Sequence, residues 1–293
     1  MGGISRRSVL IASAAAPALA GVAQAKAQAQ ASPPAFQTLK YEAQGPICVI
    51  TLNRPDSDNM IDDQNRRELA VAWEAFRADE ALQVAIFTGA GDTVFCGGAD
   101  LASFRGGPQP KYVKRDEGIR TYTAKQNRCW KPVIAAINGF VSGPGLHFLV
   151  DADICISVPE ATFSDMHMHR TGAVPIIEPI EMARKIPQEA VARMFLLGPH
   201  EPITAQRALD LGLISEIVPR ARLMARATEL ARQICQADLR LTMAFIESFY
   251  KARELGVSEA INRGLIIRQA TGYQDAPYKG RPVRDLAKLG SKL

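Results

Sequence analysis

Three of the four histidines of this chain lie within a short stretch of sequence, as His147, His167 and His169. Asp165 stands two residues before His167. A neutral imidazole is a stronger base near neutral pH than an unperturbed carboxylate, and a nearby carboxylate can orient the ring or return a proton. We therefore predict that His147 or His167 deprotonates a water molecule, with Asp165 as the partner of the imidazole.

The stretch from Lys131 to Asp165 has to position these side chains. Its sequence predicts a buried strand, a glycine-rich turn, a short helix that carries His147, and a second buried strand. A glycine-rich turn that leads into a helix directs several backbone N–H groups at one point, and this suits an anion or a developing oxyanion. The turn is therefore a candidate ligand site.

Glu178 is a further candidate acid, because it follows the turn at Pro175 and begins a predicted helix. A carboxylate in the first turn of a helix is also favourable without any catalytic role, so both interpretations of Glu178 stay open. His147 has a second interpretation too, as a hydrogen-bonded histidine of the core.

Four short apolar runs, rich in valine and isoleucine, predict the strands that hold these residues. Continuous runs of this kind are typical of strands buried on both faces, and the helical segments between them imply parallel pairing. The runs occupy residues 47–52, 83–88, 132–137 and 153–158. Between the first two runs, apolar residues recur at helical spacing from Asp62 to Asp79 and predict an amphipathic helix that covers the sheet.

Helical patterns dominate the rest of the chain. Residues 111–128 are polar with mixed charge and are predicted to be helical, and three apolar helical patterns lie between residues 223 and 267. The apolar faces of the last three need another surface to bury against. Oligomerisation and packing on the same subunit both satisfy that need, and both stay open.

The first 31 residues differ in composition from the remainder. No aspartate or glutamate precedes Glu42, and a paired arginine at positions 6 and 7 precedes an alanine-dominated apolar run that begins at Val9. The pattern resembles a twin-arginine export signal, and the run is too short and too weakly apolar to be a good membrane span. We therefore predict that residues 1–31 are an export signal and that the protein is periplasmic or secreted.

Charge and cysteine content narrow the possible partners and chemistry. Removing Arg6, Arg7 and Lys26 with the predicted signal takes the formal charge from +5 to +2, so nothing calls for a nucleic-acid partner. The five cysteines are odd in number and include no CxxC pair. Buried free thiols are therefore expected, with no disulfide framework.

Five motifs, in a fixed order, carry a family resemblance. They are ITLNRP at 50–55, IFTGAGDTVFCGGADL at 86–101, KPVIAAINGFVSGPG at 131–145, DADICISVPEATFS at 151–164 and ITAQRALDLGLISEIVP at 203–219. The ordered set resembles the crotonase superfamily, the enoyl-CoA hydratase/isomerase group. The resemblance implies an α/β fold, a spiral of ββα units that forms a catalytic core at 32–220. It also implies a C-terminal helical oligomerisation region at 221–293 and a homotrimer or hexamer.

The resemblance further implies a site in which two backbone N–H groups polarise a carbonyl and stabilise an enolate, with no cofactor. The amide of Ala99, in the motif GAD at 98–100, is the first expected donor. The position expected to supply the second donor is Pro144, which has no N–H. Either Gly145 or Gly143 replaces it through a shifted turn, or the oxyanion hole is incomplete.

The two acid–base glutamates of hydratases are also replaced, by His147 at the first position and His167 at the second. With FSD at 163–165 and the histidine that follows, this resembles the carbon–carbon bond hydrolases of the superfamily, such as the 6-oxocamphor hydrolase type. Those enzymes cleave a cyclic 1,3-diketone with water and without coenzyme A, and an exported enzyme would meet little coenzyme A. The candidate catalytic residues are His147, Asp165, His167, Ala99, Gly145 and Glu178.

The leading hypothesis is therefore hydrolysis of a carbon–carbon bond in a small 1,3-dicarbonyl or related carbonyl compound. The alternative is enoyl-CoA hydratase or isomerase chemistry, in which a coenzyme A thioester is the substrate. Two further hypotheses stay open. One is a zinc site built from His147, His167 and His169, and the other is a catalytically silent binding protein, which Pro144 permits.

Overall fold

The computed structural model describes residues 35–104 and 122–272. The predicted export signal, residues 1–31, lies outside the described residues, as does the first part of the helix predicted at 111–128. Residues 122–128 form turns instead of a helix, so that part of the prediction is wrong. The reason is local, because the Gln126 side chain accepts hydrogen bonds from the backbone N–H groups of Tyr122 and Thr123 and stabilises a turn.

The described residues contain ten strands. They are β1 Leu39–Gln44, β2 Ile47–Leu52, β3 Val84–Gly89, β4 Val94–Cys96, β5 Val133–Ile137, β6 Phe140–Val141, β7 Ile154–Ser157, β8 Thr162–Phe163, β9 Ile203–Thr204 and β10 Glu216–Ile217. The four apolar runs are confirmed as strands β2, β3, β5 and β7. Every residue of β2, β3 and β5 is buried, as continuous apolar runs predict.

The strands of the described part form two sheets. The larger has the order β1-β2-β3-β5-β7-β10, and the smaller has the order β4-β6-β8-β9. In the larger sheet β1 and β2 are antiparallel, whereas each later pair is parallel, as the intervening helices predict. In the smaller sheet β4, β6 and β8 are parallel. Strands β4, β6 and β8 of the smaller sheet each end two or three residues before a residue of the candidate active site, namely Ala99, Gly143 and Asp165.

The described residues also contain nine α-helices, several of which lie between strands in the sequence. They are α1 Asp63–Ala78, α2 Leu101–Phe104, α3 Pro144–Asp151, α4 Ile177–Met182, α5 Gln188–Leu197, α6 Ala205–Asp210, α7 Leu223–Ile234, α8 Leu239–Lys251 and α9 Val257–Ala270, with a π-helical turn at His167–Thr171. In this part of the chain no helix has the length and apolar character needed to cross a membrane.

Helix α1 confirms the amphipathic pattern between Asp62 and Asp79. Asp62 caps the helix by accepting a hydrogen bond from the Asn65 amide, and the apolar side of the helix, which includes Leu69 and Trp73, is buried against the sheet. Trp73 also donates its indole N–H to the Tyr122 carbonyl. This bond ties the helix to the turn that carries Gln126.

The three C-terminal helices differ in their packing. Helix α7 joins the core through Leu223, Ala227 and Ala231, which are buried. Helices α8 and α9 pack on each other, and several of their large apolar side chains are exposed. These are Phe245, Phe249, Val257, Ile261, Leu265 and Ile266. Packing on the same subunit therefore accounts for α7, and it leaves the apolar side chains of α8 and α9 uncovered.

All five cysteines are free thiols, and Cys48, Cys96, Cys129 and Cys155 are buried. This confirms the expectation of free thiols. Burial raises the pKa of Cys96 to about 12, so the thiol stays protonated and inert at neutral pH.

Candidate active site

Asp165 and His167 form a close pair just after strand β8. His167 Nδ1 lies 2.7 Å from Asp165 Oδ2, and the His167 backbone N–H donates to Asp165 Oδ1 at 3.0 Å. Asp165 is fully buried, whereas His167 keeps 23% of its side chain exposed. The hydrogen bond to Asp165 raises the pKa of His167. The carboxylate therefore fixes the ring with its proton on Nδ1 and leaves Nε2 directed away from Asp165.

His147 lies on helix α3, as predicted, and is almost completely buried. Pro144 at the first helical position suits the start of this helix, because its missing N–H would have no partner there. His147 Nε2 lies 3.2 Å from Glu178 Oε1. Asp165 thus pairs with His167 and not with His147, and His147 has Glu178 as its carboxylate partner.

Glu178 lies between His147 and His167. Its Oε1 atom lies 3.2 Å from His147 Nε2 and 3.9 Å from His167 Nε2. Burial alone would raise the pKa of Glu178, but the hydrogen bond and charge of His147 outweigh burial and hold that pKa below its usual value. The structure therefore brings Asp165, His167, Glu178 and His147 into one continuous group of alternating acids and bases.

The pKa of His147 is shifted in the opposite direction, upwards, by its neighbouring carboxylates. Burial would lower the pKa of His147, but the nearby carboxylates of Glu178 and Glu181 raise it to about 9. Glu181 Oε2 lies 3.8 Å from His147 Nδ1. The sequence analysis did not select Glu181 as a site residue. Its position three residues after Glu178 on a helix was the available signal, because such residues share a helix face.

The turn that contains Ala99 is fixed by hydrogen bonds and an ion pair. The Ile61 N–H donates to the Gly98 carbonyl at 2.8 Å, and the Asp100 N–H donates to the Ile61 carbonyl at 2.9 Å. Arg54 Nη2 lies 3.1 Å from Asp100 Oδ2. The Ala99 N–H donates to no acceptor among residues 35–104 and 122–272. A rigid turn thus presents an unused amide.

The turn before helix α3 decides which other amide is available. Gly145 does not fit the predicted role of relocated donor, because its N–H already donates to the Ser142 carbonyl at 2.8 Å. The Gly143 N–H has no acceptor in the described part of the protein. A Cβ atom at position 143 would lie 3.9 Å from the Ala99 nitrogen and 3.8 Å from His167 Cε1. Gly143 is therefore the glycine beside Ala99 and His167.

Gly143 has to be glycine for two reasons. Its φ angle is +48°, which side chains rarely adopt. A Cβ atom there would also lie only 3.3 Å from Gly98 Cα. The close approach of these two turns places the unused amides of Gly143 and Ala99 in the same part of the molecule as the Asp165–His167 pair.

His169 lies apart from this group. Its Nε2 atom is 2.9 Å from the Leu196 carbonyl oxygen, and its ring packs edge-on against His200. In the described part of the chain no group of three or more histidine, cysteine or acidic side chains is arranged to hold a metal ion. The predicted zinc set of three histidines does not form, because His147 and His167 turn towards Glu178 while His169 turns towards the backbone of α5.

Comparison with known proteins places the chain in a family. The family model described as "Enoyl-CoA hydratase/isomerase" matches residues 42–275, which is well over half of the chain. The chain belongs to the enoyl-CoA hydratase/isomerase family. The crotonase-like α/β fold predicted from the five motifs is confirmed.

Individual members of the enoyl-CoA hydratase/isomerase family are similar over most of their length. A carnitinyl-CoA dehydratase of Salmonella arizonae is 34% identical over 224 residues, which is 76% of this chain and 84% of the relative. An (E)-benzylidenesuccinyl-CoA hydratase of Thauera aromatica is 29% identical over 231 residues, 77% of this chain and 85% of the relative. An enoyl-CoA hydratase/isomerase structure from Mycobacterium paratuberculosis has a TM-score of 0.74 at 32% identity, covering 82% of this chain and 92% of that one.

The raised pKa of His147 predicts a pH-dependent stability for this family member. An unfolded histidine releases its proton near pH 6.5, whereas folded His147 keeps it up to about pH 9. The stabilisation is therefore fully present below pH 6.5 and is lost as the pH rises towards about 9. The free energy of unfolding, measured by urea denaturation, should fall across this range.

His147→Gln should make that fall shallower, with His167 accounting for the part that persists. The exposed His200→Gln is the matched control and should keep the wild-type slope. An unchanged slope in His147→Gln would contradict the assignment.

Proposed function

We propose that the protein catalyses the reversible elimination of water from a 3-hydroxyacyl coenzyme A thioester. The observation that carries the proposal is the position of Glu178 Oε1, 3.2 Å from His147 Nε2 and 3.9 Å from His167 Nε2. A carboxylate and an imidazole thus face each other beside the Ala99 turn. The names of the two curated relatives also agree with hydratase or dehydratase chemistry better than with carbon–carbon bond hydrolysis.

The charges of the two groups suit the dehydration direction. The lowered pKa of Glu178 leaves it ionised, and the raised pKa of His167 favours its imidazolium form. Glu178 takes the proton from the α-carbon and the electron pair forms the enolate. The enolate then expels the β-hydroxyl group, which takes a proton from His167 Nε2 and leaves as water. In the hydration direction the same two groups exchange roles.

The enolate oxygen needs hydrogen-bond donors, and the unused amide of Ala99 is the first. Pro144 supplies none, so the amide of Gly143 is the proposed second donor. Two such donors stabilise the charge that develops on the thioester oxygen, and each is typically worth about 100-fold to 1000-fold in rate. Asp165 and His147 support the two reacting groups. Asp165 orients His167, and His147 holds Glu178.

Hydrolysis of a carbon–carbon bond is the second candidate, and the Asp165–His167 pair favours it. A carboxylate 2.7 Å from Nδ1 is the arrangement that lets a neutral imidazole take a proton from water through Nε2. The proposed export of the protein agrees with this candidate, because it needs no coenzyme A. Attack of that water on one carbonyl of a 1,3-diketone would break the bond to the central carbon and release an enolate.

A paired assay on the purified protein separates the two candidates. We expect turnover of 3-hydroxybutyryl-CoA and crotonyl-CoA, followed through the absorbance of the conjugated thioester, and no consumption of a cyclic 1,3-diketone. Diketone cleavage without thioester turnover would refute the dehydratase proposal and support the hydrolase. Turnover of neither substrate would refute both for these compounds.

Asp165→Asn should lower kcat by about 100-fold or more, because the imidazole loses the carboxylate that orients it. It should also lower the pKa of His167, since the hydrogen bond to Asp165 is the main cause of the raised value. As His167 must be protonated to release water, the alkaline limb of the kcat/KM profile should move to lower pH. The exposed Asp92→Asn is the matched control, and a wild-type profile in Asp165→Asn would contradict the assigned role.

We also propose that the protein is exported through residues 1–31 and that it forms a homotrimer or hexamer. The exposed apolar side chains of α8 and α9 support the second proposal. Light scattering of the purified protein should give at least three subunits per particle, and cell fractionation should find the processed chain in the periplasm. A monomer in the first measurement, or an unprocessed cytoplasmic chain in the second, would refute the corresponding proposal.

A further inference from the structure

Glu181 is an acidic residue that the proposed reaction does not use. It lies on α4, three residues after Glu178. Its Oε2 atom is buried and has no hydrogen-bond partner within the described residues, although His147 Nδ1 is 3.8 Å away. A buried polar atom without a hydrogen-bond partner is unfavourable. The position of this oxygen therefore calls for a state of the protein in which it accepts a hydrogen bond.

Gln126 is placed to suit one of the two charge states of His147. Its Oε1 atom accepts hydrogen bonds from the backbone N–H groups of Tyr122 at 3.0 Å and Thr123 at 3.4 Å. The side-chain amide cannot be turned round without losing both, so its NH₂ group faces His147 Nδ1 at 3.4 Å. An amide nitrogen only donates, so Nδ1 must accept. This contact therefore suits the neutral ring, with its proton on Nε2 and directed at Glu178 Oε1.

The charged form of His147 cannot use the same partner. An imidazolium carries protons on both nitrogens, and its Nδ1–H would meet the NH₂ group of Gln126. Among the described residues, the acceptor within reach of Nδ1 is Glu181 Oε2, the oxygen that otherwise lacks a partner. Gln126 therefore matches the neutral ring, and Glu181 matches the imidazolium.

We propose that Glu181 is a positioning residue that accepts the Nδ1–H of His147 when this ring is charged, while Gln126 holds the neutral ring. In both states Nε2–H stays on Glu178, so His147 changes its charge without releasing Glu178. The inference rests on the proposed function, because Glu178 is the group that takes the substrate proton. A charged His147 keeps Glu178 ionised, and a neutral His147 makes it a stronger base.

Other groups face His147 from every neighbouring element. Glu178 and Glu181 approach from α4, and Tyr122 packs its ring 5.7 Å away. His167 lies on the π-helical turn and Asp151 lies on α3, the helix of His147, and the charges of both groups interact with that of His147. Burial and the charge of Glu181 raise the pKa of Asp151 to about 6. Loss of the Glu181 charge should therefore lower two pKa values, that of His147 and that of Asp151.

Nuclear magnetic resonance of the histidine ring nitrogens in the full chain tests the proposal without substrate. The protein has only four histidines, and His147→Gln identifies the resonances of His147. Glu181→Gln keeps the shape of the side chain and removes its charge. It should lower the pKa of His147 by about one unit or more and leave Nδ1 unprotonated over a wider pH range.

Gln126→Glu supplies the opposite test, because it replaces the donor at Nδ1 by an acceptor that can still receive both backbone N–H groups. It should raise the pKa of His147. Glu189→Gln, an exposed change on α5, is the matched control and should leave the titration unchanged. A wild-type titration of His147 in Glu181→Gln, or a lowered pKa in Gln126→Glu, would overturn the proposal.

The kinetic consequence separates this inference from the proposed function. With Glu181→Gln, His147 loses its charge at lower pH, and the alkaline limb of the kcat/KM profile for dehydration, to which this titration contributes through Glu178, moves to lower pH. A merely structural role for Glu181 would lower activity without moving that limb. Absence of thioester turnover in the wild-type protein would refute the proposed function alone, since the ring titration is read without substrate.

Discussion

The site depends on one constraint, which is that carboxylates and histidines alternate along a largely buried row of side chains. Asp165 pairs with His167, Glu178 lies between His167 and His147, and Glu181 approaches His147 from its other nitrogen. Removing one partner of a buried ion pair typically costs about 3–5 kcal/mol, because the other charge is left without compensation. The mutual positions of α3, α4 and the π-helical turn therefore depend on these pairs as well as on the apolar core.

The same alternation explains how histidines can occupy the two positions that the family resemblance assigns to glutamates. Replacing both glutamates would remove every carboxylate from the reaction, unless another element supplied one. Helix α4 supplies Glu178, which the proposed reaction uses as the base because its pKa is lowered, while His167, whose pKa is raised, is the proposed acid. In this proposal acid and base are still two separate groups, but they come from different positions in the chain. Proton transfer next to a thioester carbonyl is thus compatible with a residue pattern that departs from the family.

The periodicity of the sequence was sufficient to predict the strands and the first helix. It was insufficient to predict which side chains of the site pair with each other. Continuous apolar runs predicted β2, β3, β5 and β7, and helical spacing predicted α1, because burial on a sheet imposes these patterns directly. The pairing of Glu178 with His147 depends on α4 folding back onto α3, which no local pattern encodes. The turn at 122–128 was missed for a related reason, since a single side-chain amide, that of Gln126, overrides the helical preference of the surrounding residues. Whether Gly143 or Gly145 keeps an unused amide is likewise decided by backbone geometry.

Pro144 shows how one substitution changes the role of its neighbours. Proline removes an N–H but fixes a helical φ angle at the start of α3, so the helix that carries His147 begins at a defined residue. The residue before it, Gly143, has a positive φ, which only glycine tolerates well, and it lies against Gly98. The donor lost at Pro144 and the amide left unused at Gly143 are therefore two results of the same turn. The proposed oxyanion hole has little freedom to adjust, because Arg54 and Ile61 hold one side of it and the proline holds the other.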